Sequence, residues 1–137
     1  MNEPEKTKLV QDCYSYFKSG DLQSLTGLMS EDIQWILPKI ENAPFSGKRQ
    51  GIDQVLEFFA ILMDGQDVLE FTPEEFIAQG DKVVALGHNQ WRAKESGRQF
   101  GGDFAHVFTV QDGKIKEFHE YMDTASAASA YQKITIP

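Results

Sequence analysis

A single cysteine, Cys13, excludes an internal disulfide and leaves no thiolate set for zinc. Basic residues are scarce: 13 Lys and Arg face 21 Asp and Glu, for a net charge of −8. Nucleic acid and anionic membrane surfaces both need neutralising cations, so neither is an expected partner. Long apolar runs are missing too. The longest is Phe58–Met63, far short of the roughly 20 residues that span a bilayer. The segment MNEPEKTK is charged and lacks the apolar core of a signal peptide. No phosphate loop or dinucleotide fingerprint occurs, so no organic cofactor is expected. These absences point to a soluble, cytoplasmic protein.

Aromatic residues, by contrast, are plentiful. Ten Phe, four Tyr and two Trp in 137 residues are enough rings to wall a cavity. The length suits one domain, residues 1–137, with a real core. Leu9, Val10, Cys13, Tyr16 and Phe17 recur at helical spacing behind Pro4, and Gly20 would end that helix. Asp21 is a good N-cap for a short second helix. Ile33, Trp35 and Leu37 alternate as a strand closed by Pro38, and residues 38–50 read as a loop. A third helix is predicted over Ile52–Asp64, apolar enough for burial on more than one side. Four antiparallel strands follow, over 68–78, 82–94, 98–110 and 114–122. Pro73 marks the first of these as an edge or irregular strand. A short helix capped by Asp123 or Thr124 ends the pattern, and the tail ITIP would pair with a strand or fray.

The stretch RQFGGDFAHVFTVQDGKIKEFHEYMD, residues 98–123, carries the chemistry. Asp112-Gly113 turns two alternating strands into a hairpin. Successive residues face opposite sides, so Phe104, His106 and Phe108 share one face, as do Phe118, Glu120 and Met122. A three-residue turn with a bulge at Gly113 would pair His106 with Phe118 and make Glu120 its diagonal neighbour. Glu120 between apolar walls could exchange a proton with ligand or water, with His106 as relay or stabiliser. Asn89 could add a hydrogen bond, and Trp35, Trp91, Phe58 and Met63 could be ligand-contacting walls. Taken singly, each of these four residues reads as plain core; together the many rings favour an aromatic-lined cavity. His88 and His119 fall on the outer face, and adjacent His119 and Glu120 cannot point at one ion, so no metal is expected. The same outer face carries Val84, Leu86, Val107 and Tyr121, too apolar for a solvated sheet, which suggests a homodimer.

The element order, with SEDIQWILP, GKRQGIDQVLEFF, FTPEEFIAQGDKVVALG and FTVQDGKIKEFHEYMDTASAASAY, resembles the SnoaL-like group of the NTF2-like, ketosteroid-isomerase-related superfamily. The resemblance implies an α+β, cone-shaped fold: a curved antiparallel sheet wrapped around the N-terminal helices with an internal pocket. It also implies that the two hairpin residue sets face inward, and a homodimer through the outer sheet face. In steroid isomerases of this fold, the base precedes a proline at the end of the first strand, a position matched here by Leu37. Their oxyanion Asp matches His106; their Tyr falls at Cys13, with Tyr14 one residue on. Limonene-epoxide-hydrolase-like members use an Asp-Arg-Asp set, matched by Glu120, Gly87 and Asn89. SnoaL-type polyketide cyclases use a pocket carboxylate, for which Glu120 is the candidate.

The expected function is therefore binding of a small apolar organic molecule, with isomerase, cyclase or hydrolase chemistry at Glu120 and His106. The expected ligand contacts are Tyr14, Trp35, Leu37, Phe58, Met63, Asn89, Trp91, Phe104, Phe108, Phe118 and Met122. Two alternatives stand beside this: a carrier with the same pocket and no turnover, and a dimeric scaffold.

Overall fold

A computed structural model describes residues 1–133, and the ITIP tail lies outside the described residues. Helix α1, Glu3–Ser19, starts with a capping box in which Asn2 and Glu5 satisfy each other's backbone N–H groups. It stops at Gly20, whose φ of 76° is cheap only without a Cβ. Asp21 caps α2, Leu22–Gly27, through the Ser24 N–H. Strand β1, Met29–Ile36, runs into a loop that returns as a short strand β2, Lys48–Gln50. Residues 48–50 were expected to belong to the loop. Their pairing with Gln34–Ile36 is antiparallel, which a three-residue strand hardly announces in sequence.

Helix α3, Ile52–Gly65, buries Val55, Phe58, Phe59 and Leu62. Its apolar arc is wider than the face that is covered. Leu56 and Met63 remain exposed, which corrects the expectation of burial on several sides. Four strands then form the meander: β3 Gln66–Gln79, β4 Lys82–Ala93, β5 Gln99–Gln111 and β6 Lys114–Tyr121. Helix α4, Thr124–Ala130, is capped by Asp123.

The strands make one six-stranded sheet in the order β2-β1-β6-β5-β4-β3. Expected to be antiparallel throughout, it is mixed, because β1 and β6 pair in parallel. A parallel neighbour needs a long crossover, and α3 with the meander supplies it. Strand β3 lies at the edge, as Pro73 requires, and its ladder slips at Leu69 and at Glu74. The inner face of the sheet packs on α1, α2 and α3. There Val10, Leu25, Ile33, Val55, Val83, Phe108 and Ile115 are almost fully buried. Each such side chain stabilises the fold by about 1.5–3 kcal/mol relative to exposure.

The β5–β6 hairpin is tighter than expected. Asp112 and Gly113 both have positive φ, 54° and 74°, as a two-residue type I′ turn demands, and Gln111 pairs with Lys114. The ladder then shifts between Thr109 and Val110, leaving Lys116 unpaired opposite them. A bulge inside β6 thus replaces one at the turn. Its consequence is functional: His106 pairs directly with Glu120, and Phe108 with Phe118.

Candidate functional site

The inner face of β5 and β6 presents Phe104, His106, Phe108, Phe118 and Glu120 toward α1. Tyr14, one turn beyond Val10 on the buried stripe of α1, meets them. Its hydroxyl lies 2.7 Å from His106 Nδ1, and His106 Nε2 lies 2.8 Å from Glu120 Oε2. Phenol, imidazole and carboxylate therefore form one hydrogen-bonded chain. His106 and Glu120 side chains are only 5% and 13% exposed. The assignment that satisfies every proton has Glu120 ionised and accepting from Nε2–H. Nδ1 is then bare and accepts the Tyr14 hydroxyl proton.

Rings hold the imidazole in place. Phe104 stacks on it at 4.1 Å between centroids, and Phe118 meets it edge-on at 4.8 Å. Trp35 stacks on Phe118 at 3.9 Å. Gly87 sits opposite Phe104 on β4, where an added Cβ would lie 2.5 Å from the Phe104 ring and from the Thr72 carbonyl. The glycine is what lets that ring lie flat against the sheet.

The cavity beside this chain has a volume of about 70 Å³. That is space for a few water molecules or a small ligand fragment, below the roughly 300 Å³ of ordinary pockets. Its wall includes Tyr14, His106 and Glu120, with Trp35, Leu37 and Phe58 on one side. Asn89, Trp91, Phe108, Phe118 and Met122 line it elsewhere. Met63 does not. It is 46% exposed on the far side of α3 and lines an outer groove instead, because α3 turns Phe59 and Leu62 inward. Phe104 is buried behind the imidazole without reaching the cavity wall.

Other wall residues were not anticipated. Phe45 comes from the 38–47 loop, where no periodicity marks it; Gln66 follows the α3 stop and accepts a hydrogen bond from Tyr131 Oη at 2.6 Å. Phe71 follows the β3 bulge, and Phe17, Leu25, Phe59 and Leu62 come from helical faces. Cys13 also lines the cavity.

Two polar groups on this wall lack a partner among the described residues. The Trp35 indole N–H is buried without an acceptor. The Asn89 amide, on a residue 7% exposed, makes no side-chain hydrogen bond. Buried polar groups are costly unless bonded; the Asn89 amide suits a ligand oxygen or water, whereas the Trp35 N–H is closed even to a water molecule. Glu120 Oε1 likewise has no bond from a described residue.

Burial pushes the Tyr14 phenol far above the usual tyrosine range, with the charges of Cys13 and Glu120 adding to the shift. Tyr14 is thus a proton donor that does not ionise near neutrality. Burial also pushes the Cys13 thiol up to about 12, which removes the thiolate a nucleophile needs. On the outer face, His88 contacts Asp103 at 3.3 Å and His119 stacks on Tyr121. Among the described residues no group of three or more His, Cys, Asp or Glu is arranged to hold a metal ion. No helix among them is long and apolar enough to cross a membrane.

A family model for the SnoaL-like domain matches residues 10–118, a span that includes all of the hairpin up to Phe118. The chain belongs to the SnoaL-like family. Solved structures agree with this membership in fold. An NTF2-like protein from Burkholderia xenovorans is 28% identical with a TM-score of 0.88, over 96% of this chain and 99% of its own. An NTF2-like protein from Burkholderia thailandensis is 25% identical with a TM-score of 0.84, over 97% of this chain and all of its own. TerC, crystallised with polyporic acid, is 25% identical with a TM-score of 0.79, over 93% of this chain and 98% of its own. No curated protein matches the sequence.

Proposed function

We propose that this SnoaL-like protein binds a small organic molecule and moves a proton on it with Glu120, as an isomerase, cyclase or hydrolase would. The observation that carries this reading is the Tyr14–His106–Glu120 chain set in an apolar wall. Glu120 Oε1 is the base. It takes a proton from a carbon beside a carbonyl, or from water, and can return it to another atom. His106, donating to Oε2, keeps the carboxylate oriented. The Asn89 amide, on the same cavity wall, would donate a hydrogen bond to a ligand oxygen that gains charge. TerC's crystallisation with polyporic acid is in keeping with a small-molecule site in this family.

Native mass spectrometry of the purified protein tests the binding half, through a retained molecule removed by denaturation. For the chemistry, Glu120→Gln should abolish turnover of the molecule so identified, by 10²-fold or more, while its binding persists. Unchanged turnover would remove Glu120 from the role of base. Persistent binding with no turnover in the wild type would select the carrier.

The same proposal includes a homodimer through the outer sheet face, in a cytoplasmic protein. Val84 and Val107 are register neighbours there, and Tyr121 is 53% exposed beside Ala105. Leu86→Asp should convert a dimer to a monomer in light scattering. A wild-type monomer would refute this part alone.

A further inference from the structure

Phe17 and Phe71 belong to two spaces at once. Each lines the inner cavity and also a surface groove of about 340 Å³ between the ends of α1 and α3 and the start of β3. Their ring centroids are 5.1 Å apart and both residues are half-buried. The inward side of Phe71 meets Tyr14 at 5.9 Å and His106 at 6.2 Å. One layer of rings therefore separates the proton chain from the groove.

The groove itself is apolar and open. Met63, Val68 and Leu69 are 46%, 37% and 42% exposed, with Lys18 and Glu70 beside them. Exposed aliphatics on an edge strand invite aggregation, and contiguous ones mark binding surfaces. The β3 ladder slips at Leu69, between Val68 and Glu70. Bulges of this kind re-aim side chains beside sites. The inner cavity alone holds only a few atoms, whereas the two spaces together reach the range of ordinary small-molecule pockets, roughly 300 Å³ upward.

We infer that the groove is the outer half of one elongated site, with Phe17 and Phe71 as the gate between the halves. The ligand class is a long, narrow molecule with one oxygen-bearing end and an apolar remainder. The oxygen end sits with Tyr14, His106 and Glu120; the remainder passes between the parted rings and lies across Met63 and Leu69. This rests on the small-molecule reading above and adds the ligand's shape.

Straight-chain methyl ketones test it, because each carries one acceptor oxygen and a tail of chosen length. Acetone, methyl propyl, methyl hexyl and methyl nonyl ketone are titrated into methyl-labelled protein and followed by NMR. Acetone should shift only the inner-wall methyls of Leu25 and Leu62. Methyl nonyl ketone should shift these together with Met63 and Leu69, and affinity should rise roughly two- to fourfold per added methylene. Leu69→Asp should erase that gain while acetone binds as before. Met63→Gln repeats the test on an exposed helical position that accepts Gln easily. If short ketones reach the inner wall but added methylenes gain nothing, the outer half is refuted and the small-molecule reading stands. The same holds if Leu69→Asp weakens short and long ketones alike. If no ketone shifts Leu25 or Leu62, the small-molecule reading fails and this inference with it.

Discussion

Tyr14→Phe removes one oxygen from the middle of the molecule and little else. The ring keeps its contacts with Phe71, Phe76 and Phe108. The hydrogen bond to His106 Nδ1 is lost, and at 2.7 Å it is a short one. A typical buried bond is worth about 0.5–1.5 kcal/mol net, and an orphaned buried acceptor costs about 1–3 kcal/mol. The expected loss is therefore about 1–3 kcal/mol, or some 3–10 °C in a domain of this size. Urea unfolding with intact cooperativity gives the number. Nitrogen-15 shifts of His106 give its cause: wild type should show a bare Nδ1 and a protonated Nε2. In the variant Glu120 still accepts from Nε2–H, so the tautomer should persist while the Nδ1 shift moves with the loss of its donor. A loss below about 0.3 kcal/mol, or a wild-type His106 protonated on Nδ1, would refute the chain as drawn. Replacing Tyr14, His106 and Glu120 together by apolar residues of similar volume supplies the control. With no polar group left unpaired, the triple variant should be more stable than the sum of its parts.

Alkaline pH should unfold the protein early, because Cys13 and Tyr14 hold their protons in the folded state beyond the point where the unfolded chain gives them up. For Cys13 the window runs from its ordinary 9.0 up to about 12. Within it the unfolded state binds fewer protons, so stability falls as pH rises, by up to about 1.4 kcal/mol per pH unit for each group. Below that window neither group contributes. Cys13→Ala should flatten the thiol's share, read as urea midpoints at about pH 8 and about pH 11. Gly87→Ala should destabilise by at least about 2 kcal/mol, since the new methyl meets both a ring and a backbone carbonyl at 2.5 Å. Gly87→Ala combined with Phe104→Leu should recover part of that loss in the same thermal melt, and no recovery would show that the Thr72 carbonyl is the harder obstacle.

Strand identities were legible because alternation, turn residues and caps agree along most of the chain. Asp112-Gly113 announced the hairpin, period-two parity grouped His106 with Phe104 and Phe108 and Glu120 with Phe118 and Met122, and the resemblance implied that both sets face inward. Their exact opposition was not legible. An Asp-Gly pair serves two-residue and three-residue turns alike, and only the ladder shows that the extra residue is Lys116 in β6. The parallel β1–β6 contact is set by how the crossover packs, and no local pattern encodes it. Met63 failed for a related reason. The apolar arc of α3 is wider than the face the sheet covers, and periodicity cannot say which flank stays outside. Tyr14 was named as a contact but its bond to His106 was not, since α1 and β5 meet only in three dimensions. Phe45 and Gln66 had no signal, one in a loop and one just past a helix stop.

The packing at Gly87 bears on how far single residues carry over from the families this chain resembles. The resemblance to limonene-epoxide-hydrolase-like members puts an arginine at this position. Here a Cβ alone would lie 2.5 Å from both the Phe104 ring and the Thr72 carbonyl and 2.9 Å from Pro73 Cα, and the Phe104 ring continues into the stack on His106. The imidazole then takes Glu120 Oε2 for itself. A guanidinium is a permanent cation with donors only, whereas a neutral imidazole donates from one nitrogen and accepts at the other. The neutral imidazole donates to Glu120 Oε2 and accepts from Tyr14, whose phenol stays protonated near neutrality. Placing an arginine at Gly87 would therefore require moving the β3 backbone at Thr72 and Pro73 as well as the Phe104 ring, and with that ring the support that orients His106.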